Sequence, residues 1–110
     1  MIKRSESDLV RACLAYLKAR GVLAWRNNVA AFKVGKRFIR FSEKGSADIH
    51  GVLPNPHAGK FIAVEAKVGK NKPSESQADW LRRIEGQGAV ALVVWSVDDL
   101  EFFLNQIGVK

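Results

Sequence analysis

A single cysteine, Cys13, excludes an internal disulfide and a cysteine-based metal cluster, and its place within a helical pattern makes it a small buried hydrophobe rather than a nucleophile. No apolar run approaches the ~20 residues that cross a bilayer, and Met1-Ile2-Lys3-Arg4-Ser5-Glu6 lacks the apolar stretch of a signal peptide, which predicts a cytoplasmic protein with no membrane contact. There are two histidines, His50 and His57, and neither sits in a motif that would support Ser–His–Asp chemistry; no Gly-x-x-x-x-Gly-Lys-Ser/Thr loop is present to cradle nucleotide phosphates. Internal repeats, low-complexity tracts and linkers are also missing. A chain of 110 residues with 47% hydrophobic content builds one core, so residues 1–110 are expected to form one domain.

Acidic residues are scarce where the chain is most basic. From Arg26 to Lys72 there are ten basic residues (Arg26, Lys33, Lys36, Arg37, Arg40, Lys44, Lys60, Lys67, Lys70 and Lys72) and three acidic ones, Glu43, Asp48 and Glu65. From Pro73 onward three basic residues face six acidic ones. The net charge of +7 therefore resides in the middle of the chain and suits a polyanionic partner.

The same segment holds Phe61-Ile62-Ala63-Val64-Glu65-Ala66-Lys67-Val68. Strand alternation puts Phe61, Ala63, Glu65 and Lys67 on one face and Ile62, Val64, Ala66 and Val68 on the other. Both faces are largely apolar, the pattern of a central strand, where a charge costs several kcal/mol unless it is paired or bound to a metal. An ion pair between Glu65 and Lys67 at the strand's exit is the plainer explanation of the two charges.

Around this strand the pattern predicts a capped helix from Ser5-Glu6-Ser7-Asp8 to Arg20-Gly21, a strand over 22–26, and a β-hairpin of 30–34 and 37–41 about Gly35-Lys36. The hairpin displays Lys33, Lys36, Arg37 and Arg40, with Phe32, Phe38 and Phe41 as core rings. A polar loop, 42–46, leads to a strand over 47–53 that neighbours the central one. A helix from the N-cap Ser74 to Gln87 carries Trp80, Leu81 and Ile84 as its apolar stripe, and the spacing turns Gln77 inward with them. A strand over 89–95 and a helix over 98–107 finish an α/β fold, a mixed central sheet flanked by helices. The apolar Phe102-Phe103 and Ile107-Gly108-Val109 exceed what one side of the final helix can bury, leaving surface for a partner.

Four polar residues thus occupy apolar positions: Asp48, Glu65, Lys67 and Gln77. Two carboxylates on adjacent strands can bind a divalent cation of the Mg²⁺ type, and a lysine on the same face can orient an attacking water or offset charge on a phosphate. That is a set of groups for phosphodiester hydrolysis.

Asp48, sixteen residues, then Glu65-Ala66-Lys67 resembles the signature of the PD-(D/E)xK nuclease superfamily and, more narrowly, the virus-type replication-repair nuclease domain, VRR-NUC. The resemblance extends over Ser5-Glu6, Trp25-Arg26-Asn27-Asn28, Lys44-Gly45-Ser46-Ala47-Asp48-Ile49, Gly51-Val52-Leu53 and Ser76-Gln77. Ala47 stands where the signature has proline, a residue that fixes a backbone angle and carries no catalytic atom.

The resemblance implies a restriction-endonuclease-like core. It implies Mg²⁺ or Mn²⁺ held by Asp48, Glu65 and the Ala66 carbonyl, with Lys67 assisting the attacking water and Glu6 and Gln77 completing the catalytic set. It also implies a homodimer acting on branched DNA such as four-way junctions, in a bacterial or phage-infected cell; the charge excess of the middle segment puts Arg26, Lys33, Lys36, Arg37, Arg40, Lys44, Lys70 and Lys72 on the nucleic acid. The alternative from another class is a non-catalytic nucleic-acid-binding module that uses the basic hairpin.

Overall fold

The computed structural model describes residues 5–27, 31–40 and 43–110, with 31–34 and 38–40 described in backbone only. Asn28, Ala30, Phe41 and Ser42 of the expected motif, hairpin and loop lie outside the described residues, as do the side chains of Lys33, Arg40, Phe32 and Phe38.

The first helix, α1 (Glu6–Ala19), begins with the expected capping box: Ser5 accepts from the Asp8 N–H, and the Asp8 side chain returns to the Ser5 N–H. Four strands form one sheet: β1 (Leu23–Arg26), β4 (Ile49–Val52), β5 (Phe61–Ala66) and β6 (Val90–Val94), in the order β1-β4-β5-β6. The remaining two, β2 (Ala31–Val34) and β3 (Arg37–Arg40), pair through a turn at Gly35-Lys36 as a separate two-stranded sheet. Strand β4 runs antiparallel to both β1 and β5, whereas β5 and β6 are parallel and are joined by α2 (Glu75–Gly86). The last helix is α3 (Val97–Gln106), capped by Ser96.

The two faces of β5 are the two read from alternation. Ile62, Val64 and Ala66 join Leu9, Val10, Cys13 and Leu17 of α1 and Leu100 and Leu104 of α3 in the larger core. Ala63 packs with Ala47, Trp80 and Leu81, beside Phe61, Ile84 and Val93, under α2. The result is a three-layer α/β/α arrangement with β5 covered on both sides. Each fully buried Leu or Ile in it contributes about 1.5–3 kcal/mol.

Several expected bounds shift. The strand predicted over 47–53 is Ile49–Val52, leaving Asp48 just ahead of it, and β5 ends at Ala66. Strand β6 is an edge of its sheet, so only Leu92 and Val94 along it are fully buried. The chain end leaves less apolar surface than expected: Phe103 and Ile107 pack against the core and Val109 is 2% exposed, while Phe102 of that group points outward, at 66%. Among the described residues no helix is long and apolar enough to cross a membrane.

Candidate metal centre

Strand β4 stops where its ladder is interrupted by a side chain. Its register with β5 pairs Ile49 with Val64, so one step further Asp48 falls beside Glu65. There the Ala66 N–H donates to Asp48 Oδ2 at 2.8 Å instead of continuing the backbone ladder, and the Asp48 N–H donates to Glu65 Oε1 at 3.3 Å. The alternation of a strand turns the Ala66 carbonyl to the same side as its N–H, toward Asp48.

Asp48 is placed by a loop that Asn27 clamps. The Asn27 side-chain amide donates to Ser46 Oγ at 2.8 Å and to the Ala47 carbonyl at 3.0 Å, and its backbone N–H donates to the Asp48 carbonyl at 2.7 Å. The same loop presses on the start of α2 at Gly45, which has φ +82°; a Cβ there would stand 2.3 Å from the Ser76 carbonyl oxygen. Only glycine meets both demands.

Glu65 is 1% exposed, and Lys67 is 9% exposed. Lys67 Nζ stands 3.1 Å from Glu65 Oε2, an ion-pair distance, yet without hydrogen-bond alignment, so this buried oxygen has a counter-charge and no directed donor. Burial first, and the Asp48 charge second, push the Glu65 carboxyl up to about 7; Lys67 opposes the rise without cancelling it.

Glu6, in the first turn of α1, completes the group. One carboxylate oxygen from each of Glu6, Asp48 and Glu65 lies within 4.8 Å of the others, and the set could hold a metal ion. The donors fit a hard divalent cation: all are carboxylate oxygens, one is buried and lacks a donor, and a second positive charge would relieve repulsion that Lys67 leaves in place.

The other expected residues fall in different places. Arg26, exposed at the end of β1, reaches Ser7 Oγ in the first turn of α1 at 3.4 Å. Lys44 is exposed in the loop ahead of Asp48, Lys70 and Lys72 in the loop after Lys67, and Lys36 and Arg37 at the hairpin turn. Gln77 is half-buried, and its amide oxygen accepts the Ser74 N–H at 2.8 Å while its backbone N–H donates to Ser74 Oγ, so the side chain closes the cap of α2. Ser74-x-x-Gln77 is itself a capping-box pattern, the signal that competes with the inward-facing period.

Asn27 was visible only as part of a motif, because its partners are nineteen and twenty residues away. His50, on the Asp48 side of β4, has a packing role: it stacks on Trp80 with centroids 5.4 Å apart and meets Phe61 edge-on. Burial lowers its pKa, and its Nε2 is buried without a partner. No protein-family model matches this chain, and no curated protein matches it in sequence.

Proposed function

We propose that this protein is a metal-dependent nuclease that hydrolyses phosphodiester bonds in DNA, with a restriction-endonuclease-like core of the VRR-NUC type. The observation that carries the reading is the convergence of Glu6, Asp48 and Glu65 oxygens within 4.8 Å, with the Lys67 ammonium 3.1 Å from Glu65. Glu6, Asp48 and Glu65 would hold Mg²⁺ or Mn²⁺, which when bound supplies Lewis acidity at the phosphate and lowers the pKa of water.

The chain's own part is placement and charge. The Ala66 N–H fixes the direction of the Asp48 carboxylate, and the Asn27 clamp fixes the loop behind it. Lys67 brings a nearly buried cation to the face of Glu65, where it can align the attacking water or offset charge developing on the phosphate oxygens. Arg26, Lys44, Lys70 and Lys72, exposed on segments that adjoin the site residues in sequence, would contact the flanking phosphates, and Lys36 and Arg37 would extend the basic surface. Branched DNA, including four-way junctions, is the proposed substrate and a homodimer the proposed assembly, since one site cuts one strand at a time.

The test is a panel of linear, nicked, flapped and four-way-junction DNA incubated with Mg²⁺, Mn²⁺ or EDTA, using the wild type and Glu65→Gln. Cleavage that needs both the metal and Glu65 is expected. Binding that persists in EDTA and in the variant, with no cleavage by either protein, would make this a binding module instead.

A further inference from the structure

Of the three tryptophans, Trp80 is buried at 5% exposure, whereas Trp25 and Trp95 are 45% and 42% exposed. Trp95 differs from Trp25 in where it stands and in how it is held. The Lys67 N–H donates to the Val94 carbonyl at 2.9 Å, closing the pairing of Ala66 with Val94, so that Lys67 and Trp95 each follow the last paired residue of β5 and β6. The ion pair of Lys67 with Glu65, at 3.1 Å, ties the end of β5 next to Trp95 to the carboxylate group.

The indole is fixed by its polar edge. Trp95 Nε1 donates to the Asn71 carbonyl at 2.9 Å, and the backbone N–H of Trp95 donates to Asp99 Oδ2 at 2.8 Å. Asn71 lies between Lys70 and Lys72, both exposed, in a loop with no acidic residue from Val68 to Pro73. Asp99 is engaged by the Trp95 and Ser96 groups at the start of α3. A pre-ordered aromatic ring with two lysines on the strap that holds it combines the two elements of a single-strand binding surface, stacking and phosphate contact.

We propose that Trp95 is a stacking platform for one unpaired nucleobase next to the candidate metal centre, with Lys70 and Lys72 on the adjoining phosphates. The inference rests on the nucleic-acid substrate proposed above and adds a preference: a strand that offers an unstacked base beside the scissile bond is held better than a continuous duplex. The competing role, a strut for the loop over 69–73, predicts no dependence on the base.

The two roles separate in a cycle of protein and substrate changes. Binding of a thymidine oligonucleotide of about ten residues is measured by fluorescence anisotropy in Ca²⁺, against a set in which each position in turn is abasic. With the wild type, one abasic position should weaken binding about tenfold. Trp95→Ala should bind the intact and that abasic oligonucleotide alike, and Trp95→Phe, which keeps a ring but loses the indole N–H, should retain most of the contrast.

A wild type that does not bind the oligonucleotide, or binds the whole set evenly, overturns the proposal. So does a Trp95→Ala protein that keeps the contrast; if that variant fails to fold, the wild-type scan and Trp95→Phe still decide. Cleavage of junction DNA in Mn²⁺ reports separately on the nuclease reading. Cleavage without abasic contrast rejects the stacking site alone, and contrast without cleavage supports the stacking site while rejecting the nuclease.

Discussion

Glu65 is the residue whose charge the fold tolerates least. Its carboxyl is raised from 4.5 to about 7, so between those values the folded chain keeps a proton that the unfolded chain has released. Raising the pH through that window therefore removes stability, on the order of 3 kcal/mol. Thermal melts in EDTA should show a falling midpoint from about pH 4.5 to about pH 7 for the wild type and a flatter profile for Glu65→Gln. Identical profiles would mean that the buried carboxylate is not the cause. Metal binding needs that same proton to leave, so Mn²⁺ affinity should rise across the window, and Asp48→Asn should lower it in calorimetry; unchanged affinity would place the ion elsewhere. Lys67→Ala should stay folded, with Glu65 driven further toward its neutral form, and should cut DNA at least about a hundredfold more slowly. A loss under tenfold would remove Lys67 from the catalytic set.

The loop over 43–47 decides whether Asp48 faces the other carboxylates. Gly45→Ala adds a Cβ against the Ser76 carbonyl at an unfavourable positive φ, and should destabilise by about 2–3 kcal/mol while weakening Mn²⁺ binding. Asn27→Ala removes the amide that donates to the Ala47 carbonyl and Ser46 hydroxyl, at a cost of about 1–3 kcal/mol in chemical denaturation. If both variants bind Mn²⁺ like the wild type, the loop does not position the site. Much of this level was legible beforehand. Alternation alone divided the residues of β5 between two layers, because a covered strand states its two faces directly. The cap that Gln77 closes was not legible from periodicity, because the 3.6-residue period gives the direction of a Cβ and not the hydrogen bond that the amide then finds. The clamp at Asn27 and the end of β4 at Asp48 depend on groups far apart in sequence, which no local pattern reports.

At the scale of the molecule, the ends of the fold are fastened to each other. Arg20, beyond α1, bonds Asn105 at 2.9 Å and the Val109 carbonyl, and His57 Nε2 meets the Ile107 carbonyl at 2.8 Å. Of the apolar residues expected to await a partner, Phe103, Ile107 and Val109 are folded inward and Phe102 stays exposed at 66%; light scattering at micromolar concentration measures whether a dimer forms. DNA binding in Ca²⁺ should fall steeply with salt, by about 0.9 in log–log slope for each phosphate contacted. A nearly flat plot would clear the basic segment of that role. The three carboxylates come from positions 6, 48 and 65, on a helix, a loop and a strand, and no short stretch of unfolded chain holds them together. A cation that binds them binds only the native state, and so acts as a clamp on folding itself. At a concentration a hundredfold above its Kd it would add about 2.7 kcal/mol, making the melting temperature a titration curve for the site that needs no substrate at all.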